Sequence, residues 1–434
     1  MHRQASDSQR NALFRSPNFR WMAAGSIISM LGDQFTLIAL PWLVLKMTGD
    51  TLVLGTVLAV MSIPRALFIL VGGALVDRHS PKRVLMLTKH VNTLLLGTLA
   101  ALVLTGHLDL AMVYGLALAI GLSTAFSIPA GTSIMPHVVP REQLQTANGI
   151  FMGIRQMSMF AGPLLAGLLI ALFSDGGDGS HGVVKDARGL GLAFLFDAFS
   201  FALSAWTLAR VATREAAHGP AVVKASVWKS VGEGLRYCWK DDSLRVCFTY
   251  WAAVAFFITG PVQVAVPVLA GHIGEGAAAF GALAGAHGAG TLLGMALTGA
   301  KPHLRFGSFG MTILVIDGII GILFMPLGLI DMTWQGVALL LVIGTLSGFL
   351  QVNVYTWLQH HAAPAMLGRT MSLFMFIFMG IAPMSSAITG WLMRSISLQQ
   401  LFAGSGALLV LIVGVALLAS GMRSISDARA DTPR

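Results

Sequence analysis

A chain of 434 residues that is 55% hydrophobic and only 11% charged has more apolar surface than a soluble core can hide, which excludes an aqueous globular protein and points to lipid. Its 28 lysines and arginines exceed 19 acidic residues for a net charge of +9, but no basic block is interleaved with aromatics, so a nucleic-acid surface is excluded as the reason. With Cys238 and Cys247 as the two cysteines, a disulfide-built scaffold is excluded as well.

Residues 1–16 are polar, carry arginines and lead into a full-length apolar run, so they read as a cytoplasmic tail and not as a cleavable leader. Apolar runs of roughly 20 residues, the length that crosses a bilayer, then recur about twelve times. They fall at 19–45, 52–76, 84–104, 110–134, 146–173, 190–211, 245–269, 277–299, 307–330, 334–357, 369–393 and 398–422. This divides the chain into a tail (1–18), a first six-span bundle (19–211), a polar linker (212–244), a second six-span bundle (245–422) and a second tail (423–434). With both termini inside, alternation puts about 22 of the 28 cations in the cytoplasm, with Lys46, Lys185, Arg188 and Arg394 outside and Arg65 and Arg155 within spans. The positive charge is therefore a topology signal.

In the first two spans Asp33 and Arg65 lie about 14 and about 13 residues from the start, which at 1.5 Å per residue brings both to the midplane, where they can pair. Ionisable groups inside spans are rare and therefore informative. The second span ends in Gly72-Gly73, followed by Asp77-Arg78 and Ser80-Pro81-Lys82-Arg83. A carboxylate there can sit against the start of the eleventh span at Gly368-Arg369, where unpaired N–H groups favour an anion, and so latch that end; the alternative is a topogenic basic loop. The fifth span carries Gly149, Arg155, Gln156, Ser158, Gly162-Pro163 and Ala166-Gly167. Small residues let helices approach, and the proline bends the helix, which also suits ordinary packing. Asp197 in the sixth span reads equally as a structural hydrogen-bonding group.

Within the linker, SVWKSVGEGLRYCW places Val227, Val231, Leu235 and Cys238 on one helical face with Trp228 and Trp239 near its edges, as in a helix lying at the headgroup boundary. Its cations suit an anionic leaflet. Further on, Gln263, Asp317, Gln351 and Asn353 are polar groups within spans, and Met371, Met375 and Met379 share a face that either lines an adaptable cavity or packs. The loop after the eighth span keeps Lys301 and Arg305 without an acidic residue. His360-His361 has no Cys or carboxylate at ligand spacing, so no metal site is expected. Pro140 and Pro364, and Gly162-Pro163 and Ala382-Pro383, repeat at similar positions of the two bundles.

Gly73, Asp77, Arg78, Lys82 and Arg83 resemble motif A of the major facilitator transporters, with Ser80 and Pro81 in place of its usual glycine and arginine. Gly149, Ser158, Gly162, Pro163 and Gly167 resemble the motif C of its antiporter branches, with Ser158 and Ala166 where that pattern has glycine. ALPWLVLKMTGDTLVLG from Ala39, SIPRALFILVGGALVDR from Ser62, VVPREQLQTANG from Val138, FLFDAFSFALSA from Phe194 and GEGLRYCWKDDSLR from Gly232 are together similar to the bacterial drug and siderophore efflux branch, which includes macrolide and enterobactin exporters. The likeness covers most of the first half and the linker.

This resemblance implies an all-α membrane protein of the major facilitator fold, twelve transmembrane helices in two pseudo-symmetric bundles, in the bacterial inner membrane. It implies a monomeric proton-coupled antiporter that exports amphiphilic organic compounds by alternating access, driven by the proton gradient with no cofactor and no nucleic-acid partner. Asp33, Arg65, Arg155, Gln156, Gln263, Asp317, Gln351 and Asn353 are then candidates for proton coupling and the central cavity, and Gly73, Asp77, Arg78, Lys82, Arg83 and Arg369 for the cytoplasmic gate. A proton-coupled importer and a lysophospholipid translocator of the same fold remain open. A membrane-embedded enzyme is disfavoured by the lack of any HExxH, GxSxG or nucleotide-binding fingerprint.

Overall fold

A computed structural model describes residues 13–78, 80–174, 186–213, 227–274, 276–301, 304–363 and 366–426, and among these every regular element is helical. In lipid a helix satisfies its own backbone, which is why long apolar runs take this form. The first six are α1 (Pro17–Thr48), α2 (Thr51–Arg78), α3 (Pro81–Thr105), α4 (Leu110–Ser133), α5 (Leu144–Leu172) and α6 (Ala187–Ala209). After the linker helix Val227–Lys240 come α7 (Asp242–Ile273), α8 (Gly276–Ala300), α9 (Phe309–Leu329), α10 (Thr333–His361), α11 (Leu367–Leu392) and α12 (Leu398–Ala419). Among the described residues eleven of these are long and apolar enough to span a bilayer, and the remaining one, α2, has 28 residues with an apolar stretch over Thr51–Arg65.

Polar side chains end the apolar runs cleanly. Ser16 accepts from the Phe19 N–H at the start of α1, and Gly49 closes that helix at φ 62°, a left-handed conformation that costs glycine little. Asp109, Asp241, Ser308 and Ser397 cap α4, α7, α9 and α12 in the same manner. α7 is interrupted by a π-helical turn over Pro261–Ala265.

Contacts divide the chain into two units, Met1–Gly49 with Val60–Lys224, and Asp50–Ala59 with Ala225–Arg434. In the first, α6 packs on both α1 and α3, α1 on α5, and α3 on α4. The α1–α6 approach is close enough that a Cβ on Gly32 would lie 2.5 Å from Asp197 Oδ1. In the second, α8 pairs with α10, α7 with α11 and α9 with α12. The α8–α10 pair is built from two facing small-residue motifs: a Cβ on Gly290 or Gly294 would meet the α10 backbone at 2.1 or 2.0 Å, and one on Gly344 or Gly348 would meet the α8 backbone at 2.3 or 2.2 Å. The opening turns of α2 also belong to this unit, where Thr51 Oγ1 donates to Gly390 O over 3.0 Å and Arg394 Nε donates to Asp50 Oδ1 over 3.2 Å.

The linker helix docks on the second unit through Glu233, paired with Arg369 at 2.8 Å, and Tyr237, whose hydroxyl accepts from Ala363 N at 3.0 Å. Leu235 and Cys238, expected on one face, differ in how far protein covers them. Cys238 is buried, whereas Leu235 and Trp239 are 50% and 63% exposed. The docked face is set by Glu233 and Tyr237, and Leu235 lies nearly opposite Glu233 around the helix. The side chains of Val227 and Val231 lie outside the described residues.

Candidate functional site

Four helices of the first unit converge on a set of charged side chains. Ser29, Asp33 and Thr36 lie along one side of α1, Lys89 comes from α3, Arg155 from α5, and Asp197 with Ser200 from α6. Asp33 sits near the middle of α1 with accessible surface, within electrostatic reach of Lys89 and Arg155. Behind it Lys89 and Asp197 are 8% and 1% exposed and interact with each other. Asp197 accepts from Thr36 Oγ1 and, at 3.1 Å, from Ser200 Oγ. Lys89 Nζ donates to Ser29 Oγ at 3.3 Å and lies 5.5 Å from the Phe201 ring centroid, a cation–π arrangement. Two carboxylates and two cations thus balance, as burial of charge in a membrane requires. An accessible carboxylate beside a buried ammonium–carboxylate pair can take up and release a proton while Lys89 and Asp197 stay paired, the added positive charge falling to the exposed Arg155.

The expected Asp33–Arg65 pair is corrected by this arrangement. Among the described residues no ion pair to Arg65 forms, its Nε is buried without a hydrogen-bond partner, and Lys89 and Arg155 take its place beside Asp33. Arg65 belongs to α2, whereas Lys89 is carried by α3, which α6 joins to α1. Lys89 is the residue that sequence reasoning missed. It lies well within α3, but the preceding Lys82 and Arg83 let it pass as one more cation of a basic helix start. Its depth in the apolar run was the available signal. Gln156, next to Arg155, is buried with Nε2 unpartnered.

The other candidates belong to the second unit or to other parts of the first. In the second unit Asp317 is buried on α9 and accepts from the Tyr250 hydroxyl of α7 at 2.7 Å. Gln263 accepts from Ser386 at 2.9 Å, Gln351 is exposed, and Asn353 is engaged by Arg305 at 2.6 Å. Met371, Met375 and Met379 are partly exposed along α11. Of the gate residues, Gly73, Asp77 and Arg78 lie on the last turns of α2, and their side chains lie outside the described residues. Lys82 donates to Val211 O at 2.6 Å just past α6, Arg83 is exposed, and Arg369 pairs with the linker helix. On α5, Ser158, Gly162, Pro163 and Gly167 are buried, Gly162 against Gln34 of α1, while Gly149 is exposed. His361, expected to have no carboxylate nearby, stacks on Trp357 and has its Nε2 3.2 Å from Asp241 Oδ2; among the described residues no group of three metal-ligand side chains occurs.

Known proteins show the family to which the chain belongs. The profile of the Major Facilitator Superfamily matches residues 22–387. The multidrug efflux pump Tap of Mycolicibacterium fortuitum is 28% identical over 222 residues, a match covering 49% of this chain and 50% of Tap, so the chain matches half the length of that relative. The enterobactin exporter EntS of Shigella boydii serotype 4 is 26% identical over 421 residues, covering 96% of this chain and 95% of EntS. The solved nucleoside transporter NupG shares the fold with a TM-score of 0.70 at 12% identity, covering 92% of this chain and 97% of that one. With apolar helices of spanning length, charged groups held at mid-helix and the family profile across most of its length, the chain belongs to the Major Facilitator Superfamily and is a multi-pass membrane transporter.

Proposed function

We propose that this transporter is a proton-coupled antiporter that exports amphiphilic organic compounds across a bacterial inner membrane, with Asp33 as the group that exchanges its proton for substrate. The observation that carries this is the accessible Asp33 carboxylate at mid-helix, with Arg155 beside it and Lys89 and Asp197 behind it. A charge held at that depth faces protein or water, not lipid. The likeness to Tap and EntS, both named as efflux proteins, supports outward movement. Drug and siderophore classes are the first substrates to try, beginning with a susceptibility panel in a host stripped of its own pumps.

The test uses everted vesicles acidified inside by respiration. A compound carried into the vesicle in exchange for protons dissipates the pH gradient. Asp33→Asn is expected to bind the compound and leave the gradient intact. Undiminished gradient loss by folded Asp33→Asn protein overturns the assignment of Asp33, and no gradient loss with any compound that the cells tolerate better overturns antiport.

A further inference from the structure

Lys89 holds its ammonium inside the first unit. It is buried on α3, reaches α1 through Ser29 Oγ at 3.3 Å, rests near the Phe201 ring of α6, and has Asp33 and Asp197 within electrostatic reach on two different helices. Its four-carbon stem lets the ammonium move by a few ångströms while the backbone stays fixed. The two carboxylates differ in kind. Asp197 is closed in by Thr36 and Ser200, whereas Asp33 is open to exchange. The charged groups facing Lys89 are Asp33 from α1 and Asp197 from α6, with Arg155 of α5 facing Asp33; α4, which packs on the far side of α3, brings Ser123 to Thr88 O and has Tyr114 near its start as its ionisable residue.

We infer that Lys89 is a positioning residue that links the two carboxylates, its ammonium shared between Asp33 and Asp197 while both are ionised and committed to Asp197 once Asp33 is protonated. The proton comes from water to an Asp33 carboxylate oxygen, and Lys89 keeps all three of its own. Lys89 and Asp197 stay paired at zero net charge after protonation, and the positive charge that the cluster gains is left at Arg155, which is exposed. When the proton leaves, the ammonium returns towards Asp33. This rests on the assignment of Asp33 made above, and it adds that Asp197 and Lys89 set the pH at which Asp33 exchanges.

The proton itself is the probe. Infrared titration of purified, full-length protein follows the protonated-carboxyl signal, with the part lost in Asp33→Asn read as Asp33. Lys89→Gln is expected to move the midpoint of that signal up by about one pH unit or more, the size expected from loss of one nearby opposite charge, and Lys89→Arg is expected to stay near the wild type. Asp197→Asn moves the midpoint down in the presence of Lys89, whose ammonium is then released to Asp33, and moves it by less in the Lys89→Gln background, where there is no ammonium to release. If Lys89→Gln is not recovered folded, Lys89→Met combined with Asp197→Asn removes the buried pair together and reads the same midpoint.

A purely structural lysine predicts lower yield with an unmoved midpoint, and that result overturns the inference. So do shifts from Lys89→Gln and Asp197→Asn that simply add. The readout is independent of transport. Failure of the vesicle assay with an intact infrared cycle removes antiport and leaves the linkage, whereas loss of coupling in Asp33→Asn with an unmoved Lys89→Gln midpoint removes the linkage alone.

Discussion

Asp50 shows how much one polar side chain can do at a helix boundary. It caps the start of α2 by accepting from Leu52 N at 2.8 Å, and the guanidinium of Arg394 hydrogen-bonds to it, which holds its carboxyl below the usual carboxylate range. A lowered carboxyl contributes stability above its unfolded value, about 4, and loses it as pH falls through the folded value. Melting curves of wild type and Arg394→Gln should therefore differ at neutral pH and converge in acid. Equal separation at both ends of the pH range would mean that the pair contributes through shape and not charge. Lys82 makes a related point, since a residue read as part of a gate spends its ammonium on the Ala209 and Val211 carbonyls at the end of α6, where the helix dipole favours a cation.

Among the described helices, α8 and α10 pack along a long, close line because glycine on each side removes the side chains that would otherwise separate their backbones. Gly294→Leu has no space to fill on the α10 side, and an overpacking cost of about 1–3 kcal/mol is expected, read as a lower melting temperature of detergent-solubilised protein. Leucine at Gly97 of α3, where nothing lies within 4 Å of the added Cβ, is the matched control and should leave the melting temperature unchanged. The linker helix is joined differently, by Glu233, Tyr237 and Cys238 on one face only. Burial pushes the Cys238 thiol up, so little of it is thiolate at neutral pH. Maleimide labelling of Cys238 should be slow in wild type and faster in Arg369→Ala, which breaks the docking pair; equal rates would show that Glu233–Arg369 does not hold the helix down.

At the scale of the whole molecule, much of the fold was legible because lipid imposes one requirement on every span, a helix of about 20 apolar residues, and that requirement is local in sequence. Helices α1 to α12 follow the apolar runs for this reason, and the π turn of α7, which no hydropathy pattern marks, does not. The candidate site was legible one residue at a time: Asp33 and Arg155 stood out as charges in apolar runs. Their neighbours did not, because whether Asp33 meets Arg65 or Lys89 depends on which helices touch, and each run is compatible with many packings. How much of the linker helix's apolar face is covered by protein was not legible for the same reason, since amphipathicity reports an apolar side without saying whether protein or lipid covers it. The π turn carries a consequence of its own. Ser385 of α11 accepts from Gly260 N at 2.7 Å and donates to Phe256 O, next to the point where the regular backbone ladder of α7 is interrupted. The π turn of α7 is thus fastened by a neighbour's hydroxyl, like a clasp on a strap, so that loosening the turn means exchanging two hydrogen bonds.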